Sequence, residues 1–159
     1  MRHSLFTLAL AFAVSAAPAL AQEFKAGDIV IEGPWARATP KGAEVGGGYL
    51  TIENKGAAPD RLTGGTTDFA GVEVHQMKAA NGVMEMRAVT GGLEIPAHGS
   101  VALSPGGYHL MFTHLKHPLI KGQTIKATLD FAHAGAVPVE FEVMGIGAAG
   151  PGGMKGMKM

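Results

Sequence analysis

Thr124-Ile125-Lys126-Ala127-Thr128-Leu129-Asp130-Phe131 alternates polar and apolar side chains without a break. A period of two belongs to a strand buried on one face, so Ile125, Ala127, Leu129 and Phe131 are expected to face a core. The same reading extends to other short segments rich in β-branched and aromatic residues. They are 28–32, 47–53, 61–63, 71–77, 83–89, 100–103, 108–113 and 139–144. Turn residues separate them, and the chain's 24 glycines supply most of the punctuation. No stretch of useful length carries a helical period beyond the N-terminal apolar run. The expected fold is all-β, a two-sheet Greek-key sandwich or barrel.

The ends of the chain read differently. Met1-Arg2-His3 is a short basic start, Leu5 to Ala16 is apolar, and Ala19-Leu20-Ala21 has the small-x-small form that signal peptidase cuts. Residues 1–21 are therefore expected to be a signal peptide, with the protein exported to the periplasm. The apolar run is shorter than the roughly 20 residues a spanning helix needs, and no membrane insertion is expected after cleavage. Residues 22–146 make one domain's worth of chain, large enough to bury a core unaided. From Gly145 the composition turns to Gly, Ala, Pro, Lys and Met, so 147–159 is expected to be a disordered tail.

Charge and cysteine content narrow the partners. The formal net charge is zero and only 16% of residues are charged, which leaves no basic field for nucleic acid or an anionic membrane. The chain has no cysteine. Stability must then come from packing, no lipobox thiol is present, and a blue-copper thiolate ligand is missing.

Against that background His75, Met86, His109 and Met111 stand out. Imidazole and thioether without thiolate suit copper, above all Cu(I), better than zinc, calcium or iron. Asn81-Gly82 is a turn signal between His75 and Met86, so 71–77 and 83–89 should form a hairpin. With Ala79 to Gly82 as a four-residue loop, His75 falls opposite Met86. His109 and Met111 at i and i+2 share one face of their strand, while Leu110 and Phe112 point to the core. Three strands would then give a shallow His2Met2 shell at the surface, a geometry that Cu(I) accepts. Each residue has a plainer reading: methionine is ordinarily a flexible core filler, and H-x-M alone arises by chance. Met77 and Met84 read as packing or spacer residues. His98, His114, His117 and His133 lie in expected loops, where His114 and His117 could offer nitrogen to an oxidised Cu(II) ion.

The joint pattern resembles the periplasmic copper chaperones of the PCu(A)C family, whose hallmark is a histidine, ten residues, a methionine, about twenty-one residues, then H-x-M. Here ten residues separate His75 from Met86, and twenty-two separate Met86 from His109. The extra residue is placed in the Thr90-Gly91-Gly92 loop. Segments 35–40, 48–54, 92–96 and 105–111 also look like family segments. The resemblance implies a cupredoxin-like β-sandwich that binds Cu(I) through His75, Met86, His109 and Met111. It also implies transfer to a recipient cuproprotein, either the dinuclear copper centre of cytochrome oxidase or another assembly chaperone. Met154, Met157 and Met159 in the tail are candidate accessory ligands.

Other function classes are weaker. No Ser-His-Asp context, phosphate-cradling loop or close acid pair points to an enzyme, and Gly46-Gly47-Gly48 lacks the strand-before, helix-after setting of a nucleotide site. An electron-transfer cupredoxin would want a cysteine. A copper storage or resistance protein and a metal-free envelope binding domain remain as alternatives.

Overall fold

Alternation does give strands throughout the described part of the chain, residues 22–150 of a computed structural model. The expected signal segment and Met154, Met157 and Met159 lie outside the described residues. Eleven strands follow in order: β1 (Glu23–Ala26), β2 (Ile29–Arg37), β3 (Val45–Asn54), β4 (Asp60–Thr66), β5 (Gly71–Ala80), β6 (Val83–Ala88), β7 (Leu93–Ile95), β8 (Ser100–Leu103), β9 (Tyr108–Thr113), β10 (Thr124–Phe131) and β11 (Gly135–Met144). There is no helix among the described residues.

Pairing runs β2–β11–β10–β4–β5–β9–β3, and β3 pairs back to β2, so seven strands close a ring. Only β11–β2 in that ring is parallel. β1, β6, β7 and β8 are added to β2, β5, β4 and β3 respectively. Closure leaves the seven-strand wall with an inner face that side chains must fill. Ile125, Ala127, Leu129 and Phe131 of β10 do fill it, each 6% exposed or less. Phe112 and Phe141 meet edge to face inside, with ring centroids 5.7 Å apart. Each fully buried side chain of this size is worth about 1.5–3 kcal/mol over its exposed state.

β2, β1 and β7 differ from the sequence expectation. β2 continues to Arg37 instead of ending at Glu32, because Gly33, at φ +55, and Pro34 form an irregularity between Glu32 and Trp35. Pro34 has no N–H to give to a ladder, and the bulge lets the strand exchange β1 for β11 as neighbour while keeping β3. β1 and β7 are additional strands, only four and three residues long.

Gly46-Gly47-Gly48 lies within β3, where the inner and outer layers both come close. A Cβ on Gly48 would stand 2.8 Å from Phe112 Cε2, and one on Gly47 would stand 2.7 Å from the Tyr49 hydroxyl. The run exists to admit those rings.

Candidate metal centre

The site is built on the outer face of the wall by β3, β9, β5 and β6. On β5, Val72 and Val74 point inward, so Glu73, His75 and Met77 point out. The ladder sets His75 opposite His109 and Glu73 opposite Met111. On the other edge of β5, Met77 opposes Met86 and Ala79 opposes Met84. His75, Met86, His109 and Met111 therefore share one face.

The hairpin register differs from the expected one by two residues. Asn81 and Gly82 both take positive φ, +52 and +77, so they form a two-residue turn of the I′ kind in place of the four-residue loop. Ala80 then pairs with Val83, and Met86 faces Met77 instead of His75. A shift of two positions preserves the face, because the side-chain period is two. Met86 becomes the diagonal neighbour of His75, at a Cβ spacing somewhat under about 7–8 Å, within reach of a methionine side chain. Met111 is diagonal to His75 on the β9 side. The 90–92 loop, where the sequence places the extra residue, lies between β6 and β7 and belongs to neither ladder.

Burial corrects a second expectation. The four side chains do not all lie at the surface: His109 is 6% and Met111 8% exposed, and the His75 side chain is 16% exposed. Only Met86, at 49%, is open. β9 is buried on both faces because an outer layer covers it. Trp35 stacks on Tyr49 with centroids 4.5 Å apart, Tyr49 neighbours His109 at 6.5 Å, and His109 neighbours His75 at 5.9 Å. Arg37 lies over the Tyr49 ring and its Nε donates to the carbonyl of Ala148 at 2.8 Å, which fastens the chain after β11 beside this row.

The imidazoles are prepared as nitrogen donors. His75 Nε2 donates to the Glu73 carboxylate at 2.7 Å, and Nδ1 is buried with no hydrogen-bond partner. A buried acceptor without a partner is rare and calls for an explanation. In the neutral ring with its proton on Nε2, Nδ1 is a bare lone pair. His109 Nδ1 lies 3.2 Å from the Gly107 carbonyl, which accepts its proton and frees Nε2. Burial pushes the His109 pKa down, the Gly107 carbonyl raises it and nearby His75 lowers it, leaving it below the ordinary histidine value. The uncharged, lone-pair form is the one that ligates a metal.

Glu73 was not among the candidates from sequence. A carboxylate that fixes the tautomer of a ligating histidine is a common second partner of metal sites. The Glu73-x-His75 spacing, which puts both on one strand face, was the available signal. His117 stacks on Phe69 at 5.7 Å, and Phe69 packs on Phe112, the inward side of β9. His114 is exposed in a turn at φ +52. Among the described residues neither has a ring or hydrogen-bond contact with His75 or His109. His98 and His133 lie in loops, as expected, and His133 Nδ1 is 3.0 Å from the Pro59 carbonyl.

The family model described as "Putative lipoprotein LpqE-like" matches residues 29–143, from the start of β2 to the penultimate residue of β11. The chain belongs to the LpqE-like family. A curated relative, "Putative lipoprotein Lxx21020" of Leifsonia xyli subsp. xyli, is 31% identical over 120 residues, covering 75% of this chain and 71% of that protein. Among solved structures, this LpqE-like chain is similar to a copper-bound PCuAC domain from PmoF2, with 30% identity and a TM-score of 0.64. That match covers 78% of this chain and 98% of the domain. It is also similar to the Cu(I) form of DR1885 from Deinococcus radiodurans, at 28% identity and a TM-score of 0.59, over 82% of this chain and 85% of that one. The shared architecture is the all-β fold described above.

Proposed function

We propose that this LpqE-like protein is an exported, non-catalytic copper carrier that holds Cu(I) through His75, Met86, His109 and Met111. The observation that carries this reading is the buried, unpartnered Nδ1 of His75, on the same strand face as His109, Met86 and Met111, while Glu73 occupies Nε2. The likeness to copper-bound and Cu(I)-bound domains supports the choice of metal. Two neutral imidazoles and two thioethers add no charge to the ion, and the soft sulfur donors favour Cu(I) over hard cations. Thioether contacts are weaker than thiolate ones, so the ion is held firmly yet can be passed on.

Its destination in this reading is another exported cuproprotein, the dinuclear copper centre of cytochrome oxidase or an assembly chaperone that serves it. The tail methionines Met154, Met157 and Met159 are accessory thioethers in the same reading. Ala148, tied to Arg37 beside the Tyr49 and His109 rings, starts that segment near the site.

Titration of the protein with Cu(I) against a competing chelator tests the reading. Met111 is buried, so the informative variant is Met86→Leu with Met111→Leu, which keeps side-chain volume and removes sulfur. A large loss of affinity with an unchanged denaturation midpoint is expected. Equal affinity in the two proteins would sink the proposed shell.

A further inference from the structure

The β5–β6 hairpin runs past the wall as an arm. The β5–β9 ladder ends at Gln76 opposite Tyr108, and beyond the bond from Met77 N to the Gly107 carbonyl, β5 pairs only with β6. The two faces of this arm differ in kind. One carries Gln76 and Lys78 opposite Arg87 and Glu85, with Arg87 and Glu85 paired at 2.6 Å. The other carries His75, Met77 and Ala79 opposite Ala88, Met86 and Met84, with no charged group beyond Glu73 at its wall end. Met84 is 54% and Met86 49% exposed, while Met77 is partly covered.

Three thioethers thus occupy neighbouring ladder positions on a solvent-facing surface. Met77 and Met86 are directly opposed, with Cβ atoms about 4.5–5.5 Å apart, and Met84 is one diagonal step away. Single exposed methionines need no explanation, but all three methionines of an arm on one face, with its ions and the exposed Val83 on the other, do. Flexible side chains bearing neutral sulfur can converge on one soft cation, and carboxylate-seeking ions find nothing on that part of the face.

We propose that Met77, Met84 and Met86 form a second, all-thioether Cu(I) position on the arm, distinct from the His75, Met86, His109 and Met111 set and sharing Met86 with it. The proposal deepens the copper reading, on which it rests through Met86. Sharing one ligand allows transfer by substitution. Met77 and Met84 leave the ion as His75, His109 and Met111 take it up, with Met86 bonded throughout and no change in oxidation state. The arm is then the open side by which the ion reaches or leaves the covered imidazoles.

The test uses Ag(I), a redox-inert soft monovalent probe, added to the full chain labelled with carbon-13 at its methionine methyl groups and followed by NMR. The first equivalent is expected to shift Met86 and Met111, and the second to shift Met77 and Met84. In His75→Ala, or in Met111→Leu should that variant not fold, Met77, Met84 and Met86 are expected to respond from the first equivalent. In the double variant Met77→Leu, Met84→Leu the first-equivalent response is expected to persist while the arm's second response disappears. Unshifted Met77 and Met84 methyls in both the wild type and His75→Ala would overturn the arm site, even with tight binding at Met111. A response of Met77, Met84 and Met86 with Met111 silent throughout would instead overturn the four-ligand reading and leave the arm site standing.

Discussion

The wall and the arm hold the proposed ligands in opposite ways. His109 and Met111 stand on β9, between Leu110 and Phe112 inside and the Trp35–Tyr49 layer outside, and are less than a tenth exposed. Met86 stands on a two-stranded arm, half exposed, with two further methionines beside it. His75 sits at the junction, its ring fixed by Glu73. The difference teaches that rigidity and adaptability are divided between two supports. The wall presents oriented nitrogen at little reorganisation cost, and the arm offers sulfur that can move.

Truncating one methionine on each support should give the largest difference between wall and arm. Met111→Ala should lower the folding free energy by about 2–5 kcal/mol, as for buried methionines generally. Met86→Ala should change it by no more than about 0.5 kcal/mol in either direction. Urea unfolding of the two variants measures the contrast, and similar destabilisation by both would show that the arm is packed as firmly as the wall.

Acid unfolding probes a buried carboxylate of the wall. Asp60 of β4 is buried, which pushes its carboxyl pKa up. The backbone amides of His133, Arg61 and Ala134 donate to it at 2.8, 2.7 and 2.9 Å and bring the net value below the ordinary aspartate one. A folded-state pKa below the unfolded value means the ionised group favours the fold. That contribution is fully present above about pH 4, near the unfolded value, and is lost as pH falls through the folded-state value. Asp60→Asn should cost about 1–3 kcal/mol near neutrality and flatten the loss of stability in acid. An unchanged acid slope would assign that loss to other groups.

Much of this was legible in the sequence. Period-two alternation in 124–131 and the apolar inner residues of 108–113 determine β10 and β9, since burial on one face dictates both. The short β1 and β7 carry too few residues for a period to show, and Gly33-Pro34 reads as a breaker although a bulge carries β2 through it. The common face of His75, Met86, His109 and Met111 was legible because an error of two in register leaves a strand's faces unchanged. The burial of His109 and Met111 was not, since it depends on Trp35 and Tyr49 arriving from strands distant in the chain. Glu73 shares a strand face with His75 by spacing alone, yet an exposed carboxylate on a strand looks solvated until its neighbour's free nitrogen is seen.

Glu73 separates stability from affinity. Glu73→Gln keeps a hydrogen-bond acceptor for His75 Nε2 but removes the charge, and the side chain is 54% exposed, so stability should barely change. Cu(I) affinity should fall by about 10-fold to 100-fold at most, the usual cost of losing a histidine's outer partner. Competition titration measures it. No loss would mean that His75 is oriented by the wall without help from its carboxylate.

The most direct measurement is X-ray absorption at the copper edge on the protein loaded with one equivalent of Cu(I). A shell of two imidazole nitrogens and two thioether sulfurs, losing sulfur in Met86→Leu with Met111→Leu, is the predicted result. A shell without sulfur, or one that the double substitution leaves unchanged, would contradict the account.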